Sequence, residues 1–257
     1  MESALIIGGT GGLGRSLAHS AKARGIYAFA AGRTLNVRDP EWRDGKLTNG
    51  KFVPLDITDP ASWEPYLGLI ARSDDFKPAY LFWVAGIFHR GPFVAQSEDS
   101  LLVMMQTHLM GPIKFLQRFH RIMMDSKLAV RQLAEAGRPY HLITIASTSS
   151  YRMRVDETLY CALKAAKAAF MRNFSRELAR DLPGSKTMLV NPGGMKTNLF
   201  MGTGQDTSKF MEPKAVAGII WEEVLRQTEP FDEINILRDD EGAPRIVRGP
   251  QTPEQPF

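Results

Sequence analysis

Short apolar runs alternate with longer helical patterns along almost the whole of this chain, and that alternation limits the fold more than any other feature. Ala4–Ile7, Ile26–Ala31, Lys51–Leu55, Ala79–Ala85, Tyr140–Ala146, Lys186–Val190 and Glu233–Leu237 read as strands. Gly14–Arg24, Pro60–Ala71, Ser100–Ala136, Glu157–Arg180 and Pro213–Thr228 read as helices, the third bent near Gly111-Pro112. Strands with few polar positions have both faces covered, and strands joined through helices run parallel. The expectation is an α/β chain with one doubly wound parallel sheet of about seven strands and helices on both faces. One domain over residues 1–241 accounts for the pattern. Residues 242–257 hold four prolines and no periodicity, and read as a disordered tail or an arm packed on a neighbouring subunit.

Composition removes several classes of function. No apolar run approaches the ~20 residues that cross a bilayer. Met1-Glu2-Ser3 leads straight into a strand, with neither the basic region nor the cleavage site of a signal peptide. Cys161 is the single cysteine, so no internal disulfide forms and a cytoplasmic location is expected. The net charge of +4 comes from scattered residues rather than a basic stripe, which favours an anionic small molecule over nucleic acid. The five histidines are dispersed, and no metal site is expected.

Ile7-Gly8-Gly9-Thr10-Gly11-Gly12-Leu13-Gly14 joins the first strand to the first helix. Exposed main-chain N–H groups with a helix N-terminus behind them form an anion site, and glycines let a pyrophosphate approach. The glycines fit two spacings, Gly8/Gly12/Gly14 and Gly8/Gly11/Gly14, so the turn alone does not choose between nucleotide-binding subfamilies. Gly32-Arg33-Thr34 closes the second strand. An acidic residue there suits the ribose hydroxyls of NAD, whereas an arginine suits the 2′-phosphate of NADP. NADP is expected, with NAD the less favoured choice.

Tyr160 and Lys164 stand four apart on the fourth helix pattern, with Ser147 thirteen residues before the tyrosine. Helical i and i+4 positions are neighbours. Bringing a phenol from pH ~10 to neutrality takes ~4 kcal/mol. A positive charge ~5 Å away, at an effective dielectric of ~20, supplies ~3 kcal/mol. The spacing therefore predicts a tyrosine tuned by a lysine. Cys161 points elsewhere on the helix and reads as packing.

Taken together these residues resemble the short-chain dehydrogenases/reductases, shorter single-domain branch, from about Ala4 to Leu237. The glycine turn resembles TGxxxGxG with Ile7 for the threonine. Asp56-Ile57 resembles the pair that flanks adenine, Ala85-Gly86 the end of NNAG, and Pro192-Gly193-Gly194-Met195-Lys196-Thr197 the PGxxxT segment beside nicotinamide. Ser147, Tyr160 and Lys164 match the catalytic residues.

The resemblance implies a Rossmann-type fold and NADP(H)-dependent interconversion of a carbonyl and an alcohol by hydride transfer. Tyr160 would be the general acid/base, Lys164 would lower its pKa and hold the nicotinamide ribose, and Ser147 would orient the substrate oxygen. Gly8, Thr10, Gly12, Leu13, Gly14, Arg33, Thr34, Asp56, Ile57, Ala85, Gly86, Pro192, Gly193 and Thr197 would hold the cofactor with Tyr160 and Lys164. Residues 198–211 match the family's substrate lid, and a homodimer or homotetramer is implied. Two departures stand out: Trp83-Val84 replace the asparagines of NNAG, and His108 occupies the place of a relay asparagine. A histidine there can relay protons itself. The alternative reading is a non-catalytic NADP(H)-binding regulator of the same fold.

Overall fold

The computed structural model describes residues 2–34, 46–47, 49–72, 78–126, 135, 137 and 139–252. Nine strands form one sheet: β1 (Ser3–Ile7), β2 (Tyr27–Gly32), β3 (Lys46–Leu47), β4 (Gly50–Pro54), β5 (Tyr80–Trp83), β6 (His141–Ile145), β7 (Lys186–Pro192), β8 (Phe231–Arg238) and β9 (Pro244–Arg248). Their order is β3-β4-β2-β1-β5-β6-β7-β8-β9. The seven inner strands are parallel, and an antiparallel strand closes each edge. Helices α1 (Gly12–Lys22), α2 (Pro60–Arg72), α3 (Glu98–Met105), α4 (Gly111–Asp125), α5 (Thr158–Asp181) and α6 (Pro213–Arg226) complete the layers.

The apolar strands are divided residue by residue between two cores. Ala4 and Ile6 of β1 join the core under α1 and α6, while Leu5 and Ile7 join the one under α2, α4 and α5. This is the period-two alternation of a strand covered on both sides. Trp221 of α6 fastens the first face. Its indole N–H donates to the Leu17 oxygen at 2.9 Å, and its ring meets those of Tyr80 and Phe82.

The seven parallel strands match the expected number, and among the described residues two antiparallel edge strands add to them, β3 being two residues long and β9 too polar to show an apolar run. Two expectations need correction. The segment from Gly242, expected as a tail or an arm, enters the sheet instead. Asn235 donates to the Val247 and Gly249 oxygens, and Arg248 pairs with Asp232 and Glu223, so β9 is held by polar contacts. The long third helix is interrupted more than bent. A π-helical turn, Gln106–Met110, separates α3 from α4. Pro112 has no N–H to offer the His108 carbonyl, which removes the bond that would keep the turn tight. The far end expected for that helix lies partly outside the described residues.

Candidate active site

Strand order reverses where β1 lies between β2 and β5. Open α/β sheets bind ligands beyond the carboxyl ends of their strands at such a point, and here the loops after β1, β4, β5, β6 and β7 surround a cleft of about 950 Å³.

The glycine turn forms one end of the cleft. Gly8, at φ +90°, lies so close to the chain after β5 that a Cβ would stand 2.7 Å from the Ala85 nitrogen. Gly11, by contrast, faces open space and precedes the first turn of α1 without a side-chain cap. That leaves main-chain N–H groups at the helix N-terminus turned to the cleft. A dinucleotide fits this cradle: a pyrophosphate can reach the backbone at Gly11, and Thr10, Gly12 and Leu13 line the same wall. Arg33, Thr34, Asp56 and Ile57 line the cleft as well. Asp56 is anchored through its Oδ1, which accepts from the N–H and hydroxyl of Thr58 at 2.9 and 2.7 Å. Ala85, Gly86, Pro192, Gly193 and Thr197 line the other end.

Gly14 and His108 do not line the cleft. Gly14 packs α1 on the turn: a Cβ there would lie 2.0 Å from the Gly8 oxygen. His108 sits in the π turn behind the site, fully buried, with its ring against Gly86 and edge-on to Tyr160 at 5.5 Å between centroids. Its Nε2 lies 2.6 Å from the Ile87 oxygen and 3.1 Å from the Ile87 nitrogen. Burial, then the charges of Lys164 and Lys167, hold the imidazole well below its ordinary pKa, so it is neutral near pH 7.

Ser147, Tyr160 and Lys164 meet at the foot of the cleft. Ser147 follows β6 and caps a short 3₁₀ turn, its Oγ accepting from the Ser149 N–H at 3.1 Å. A hydrogen bond joins it to Tyr160. Burial dominates and pushes the Tyr160 phenol above its ordinary value, with the Ser147 hydrogen bond acting in the opposite direction. Lys164 lies over the face of the tyrosine ring, its Nζ 5.4 Å from the centroid, and donates to the Ile145 oxygen at 3.4 Å. Burial pushes its own ammonium down to about 7. A group so easily neutralised gives less help to a phenolate than the fixed unit charge of the sequence argument.

Aromatic rings wall the side of the cleft near Tyr160. Phe88 meets Tyr160 at 4.7 Å and Phe200 at 5.2 Å, and Phe200 meets Phe210 at 5.1 Å. Arg152 and Arg154 line the cleft too, while Arg90 is engaged with Asp156 at 3.9 Å. Among the described residues no cluster of three or more His, Cys, Asp or Glu side chains is arranged for a metal ion. No helix among them is long and apolar enough to cross a membrane.

A sequence model of the short chain dehydrogenase family matches residues 2–208. The chain belongs to that family. A curated relative, the 3-oxoacyl-acyl-carrier-protein reductase FabG of Salmonella typhimurium, is 27% identical over 215 residues, spanning 84% of this chain and 82% of the relative. Among solved structures, the 3-ketoacyl-(acyl-carrier-protein) reductase of Brucella melitensis complexed with NADH superposes with a TM-score of 0.74 at 17% identity, covering 92% of this chain and 96% of that one. The alcohol dehydrogenase of Thermococcus sibiricus complexed with 5-hydroxy-NADP gives 0.71 at 19% identity, covering 99% and 100%. The chain is thus an oxidoreductase of the short-chain type, with a Rossmann-like sheet.

Proposed function

We propose that this chain is an NADP(H)-dependent oxidoreductase that interconverts a carbonyl and an alcohol. The observation that carries the reading is the convergence of Ser147, Tyr160 and Lys164 in the same cleft as the glycine cradle. A nicotinamide cofactor, when bound, supplies or takes up the hydride. Ser147 holds the substrate oxygen, and Tyr160 gives it a proton in reduction or receives one in oxidation. Lys164 supplies positive charge next to the tyrosine and donors for the ribose hydroxyls. Arg33 at the adenosine side favours a 2′-phosphate, and an arginine-bearing cleft favours an anionic cofactor in general. His108, neutral and tied to Ile87, supports the backs of Gly86 and Tyr160. Leu199 and Phe200 begin a lid over the aromatic wall, tied at its far end where Arg238 donates to the Lys209 oxygen at 3.0 Å.

Fluorescence titration with NADPH and NADH tests the cofactor: NADPH is expected to bind more tightly, and tighter NADH binding overturns the Arg33 argument. A screen of ketones, aldehydes and alcohols against wild type and Tyr160→Phe tests the chemistry. The variant is expected to lose about 10²–10⁴ in turnover. Undiminished turnover would remove Tyr160 from the mechanism. Tight NADPH binding with no turnover on any substrate would favour a non-catalytic regulator.

A further inference from the structure

α5 turns a second lysine into the protein. Lys167 follows Lys164 by three residues on the same helix face and is fully buried. Its Nζ stands 4.2 Å from the centre of the Trp83 ring. It donates to the main-chain oxygens of Ala85 and Ile145, each at 3.4 Å. Lys164 donates to that same Ile145 oxygen, also at 3.4 Å. Two lysine side chains therefore converge on one carbonyl, with Trp83, one of the residues that break the NNAG pattern, as the wall behind them.

The groups that face this pair offer no compensating negative charge. From α5 the ionisable neighbour is Tyr160, and from the π turn it is His108, on which both lysines act. β5 contributes the neutral Trp83, and β6 and the loop after β5 contribute main-chain oxygens. Neither lysine has a carboxylate partner among the described residues. One unpaired ammonium is costly to bury. A second beside it adds a repulsion that a dry interior screens poorly.

We propose that Lys167 is a positioning residue that sets the charge carried by Lys164, and through it the acidity of Tyr160, because the two nitrogens compete for one carbonyl in a site that does not hold two full positive charges. Burial lowers both ammonium groups, and the charge of Lys164 lowers Lys167 further. The Trp83 face and the Ala85 oxygen stabilise charge on Lys167, and charge held there raises the cost of charge on Lys164. The last step, to Tyr160, rests on the acid/base role proposed above; the competition between the lysines does not.

The test is an NMR titration of protein labelled with ¹³C at the lysine ε carbon, whose shift reports protonation, with Lys164→Met identifying the Lys164 signal. In wild type the Lys164 midpoint is expected well below the ordinary lysine value. Lys167→Met, similar in volume and without charge, is expected to raise it by about one pH unit or more. Lys167→Arg, which carries a permanent charge, is expected to lower it. Thermal melts establish that each variant is folded, and wild type alone is decisive if neither is. Two buried lysines that both titrate at the ordinary value overturn the proposal, as does a Lys164 midpoint that neither folded variant moves.

With a substrate in hand, the rising limb of the pH–rate profile for alcohol oxidation is expected to shift to lower pH in Lys167→Met, with its plateau within a few-fold of wild type. A shifted NMR midpoint with an unmoved limb overturns the link to Tyr160. Absence of turnover in wild type would count against the proposed reaction, while the NMR midpoints would still decide the lysine coupling.

Discussion

Two kinds of buried residue set limits that can be measured directly. A Cβ at Gly14 would overlap the Gly8 oxygen, a contact of main chain on main chain with no flexible side chain to yield. Gly14→Ala is therefore expected to cost about 1–3 kcal/mol and to loosen the turn beneath the proposed pyrophosphate site. A denaturant midpoint at its wild-type value would contradict this. His120 and His141 act through pH. His120 donates from Nδ1 to the Leu116 oxygen at 2.8 Å, and its Nε2 shares a hydrogen bond of 3.0 Å with the Tyr140 hydroxyl, which the neutral ring accepts. Burial lowers His120 to about 4, and burial followed by the Lys186 charge lowers His141 to about 4. The unfolded chain thus binds more protons between pH ~6.5 and the folded values, so stability is full above ~6.5 and falls as the pH drops toward 4. Each ring contributes on the order of 3 kcal/mol to that loss. Equilibrium unfolding at pH 7 and pH 4.5 measures it, and His120→Phe should flatten the slope. The meeting of Ser147, Tyr160 and Lys164 in one cleft was legible at this scale because of their spacing. Lys167 was not, although Tyr160, Leu163, Lys164 and Lys167 trace one helical stripe, because a lysine in a helix is ordinarily solvated.

At the scale of elements, one polar chain joins the pieces that carry the site. Ser150, three residues beyond Ser147, donates to the Asn191 oxygen on β7 at 3.4 Å. Asn191 donates to Glu233 on β8 at 3.0 Å, and Arg172 of α5 grips that carboxylate with two bonds of 2.9 and 2.7 Å. The helix bearing Tyr160 is thereby tied, through β8 and β7, to the turn that follows Ser147. Glu233→Leu is expected to cost about 1–3 kcal/mol, because Asn191 is left buried without its acceptor, and to reduce turnover more than cofactor binding. Equal losses in both would place the effect on the whole fold instead. The main helices and inner strands were readable because their burial follows simple periods. The π turn was not, since a proline within a helical pattern signals a disturbance without fixing its kind, and Gly111 is pressed against the Ile57 oxygen from a segment far away in sequence. β9 was hidden for a related reason. Its attachment comes from Asn235 and from acids on β8 and α6, while its own sequence looks like a tail.

For the whole molecule, the oligomer implied by the family is expected to use the outward faces of the helices that carry the site. Leu102, Val103, Met105 and Met110 leave exposed apolar surface on and just beyond α3. We expect sedimentation to give a dimer or tetramer, and Val103→Asp to shift it toward the monomer; a wild-type monomer at micromolar concentration would end that expectation. The two antiparallel edge strands bear on a different hazard. A parallel sheet ends in a row of free main-chain donors and acceptors, which invites any passing extended chain to add another strand. β9 occupies that row on β8 and presents Pro244, Arg245 and Arg248 in its place. A chain truncated after Glu241 is therefore expected to fold around the same cores yet lose solubility, measured as light scattering that grows with concentration. Residues 244–248, which read as part of a tail in the sequence, are in this light expected to keep one copy of the sheet from continuing into the next.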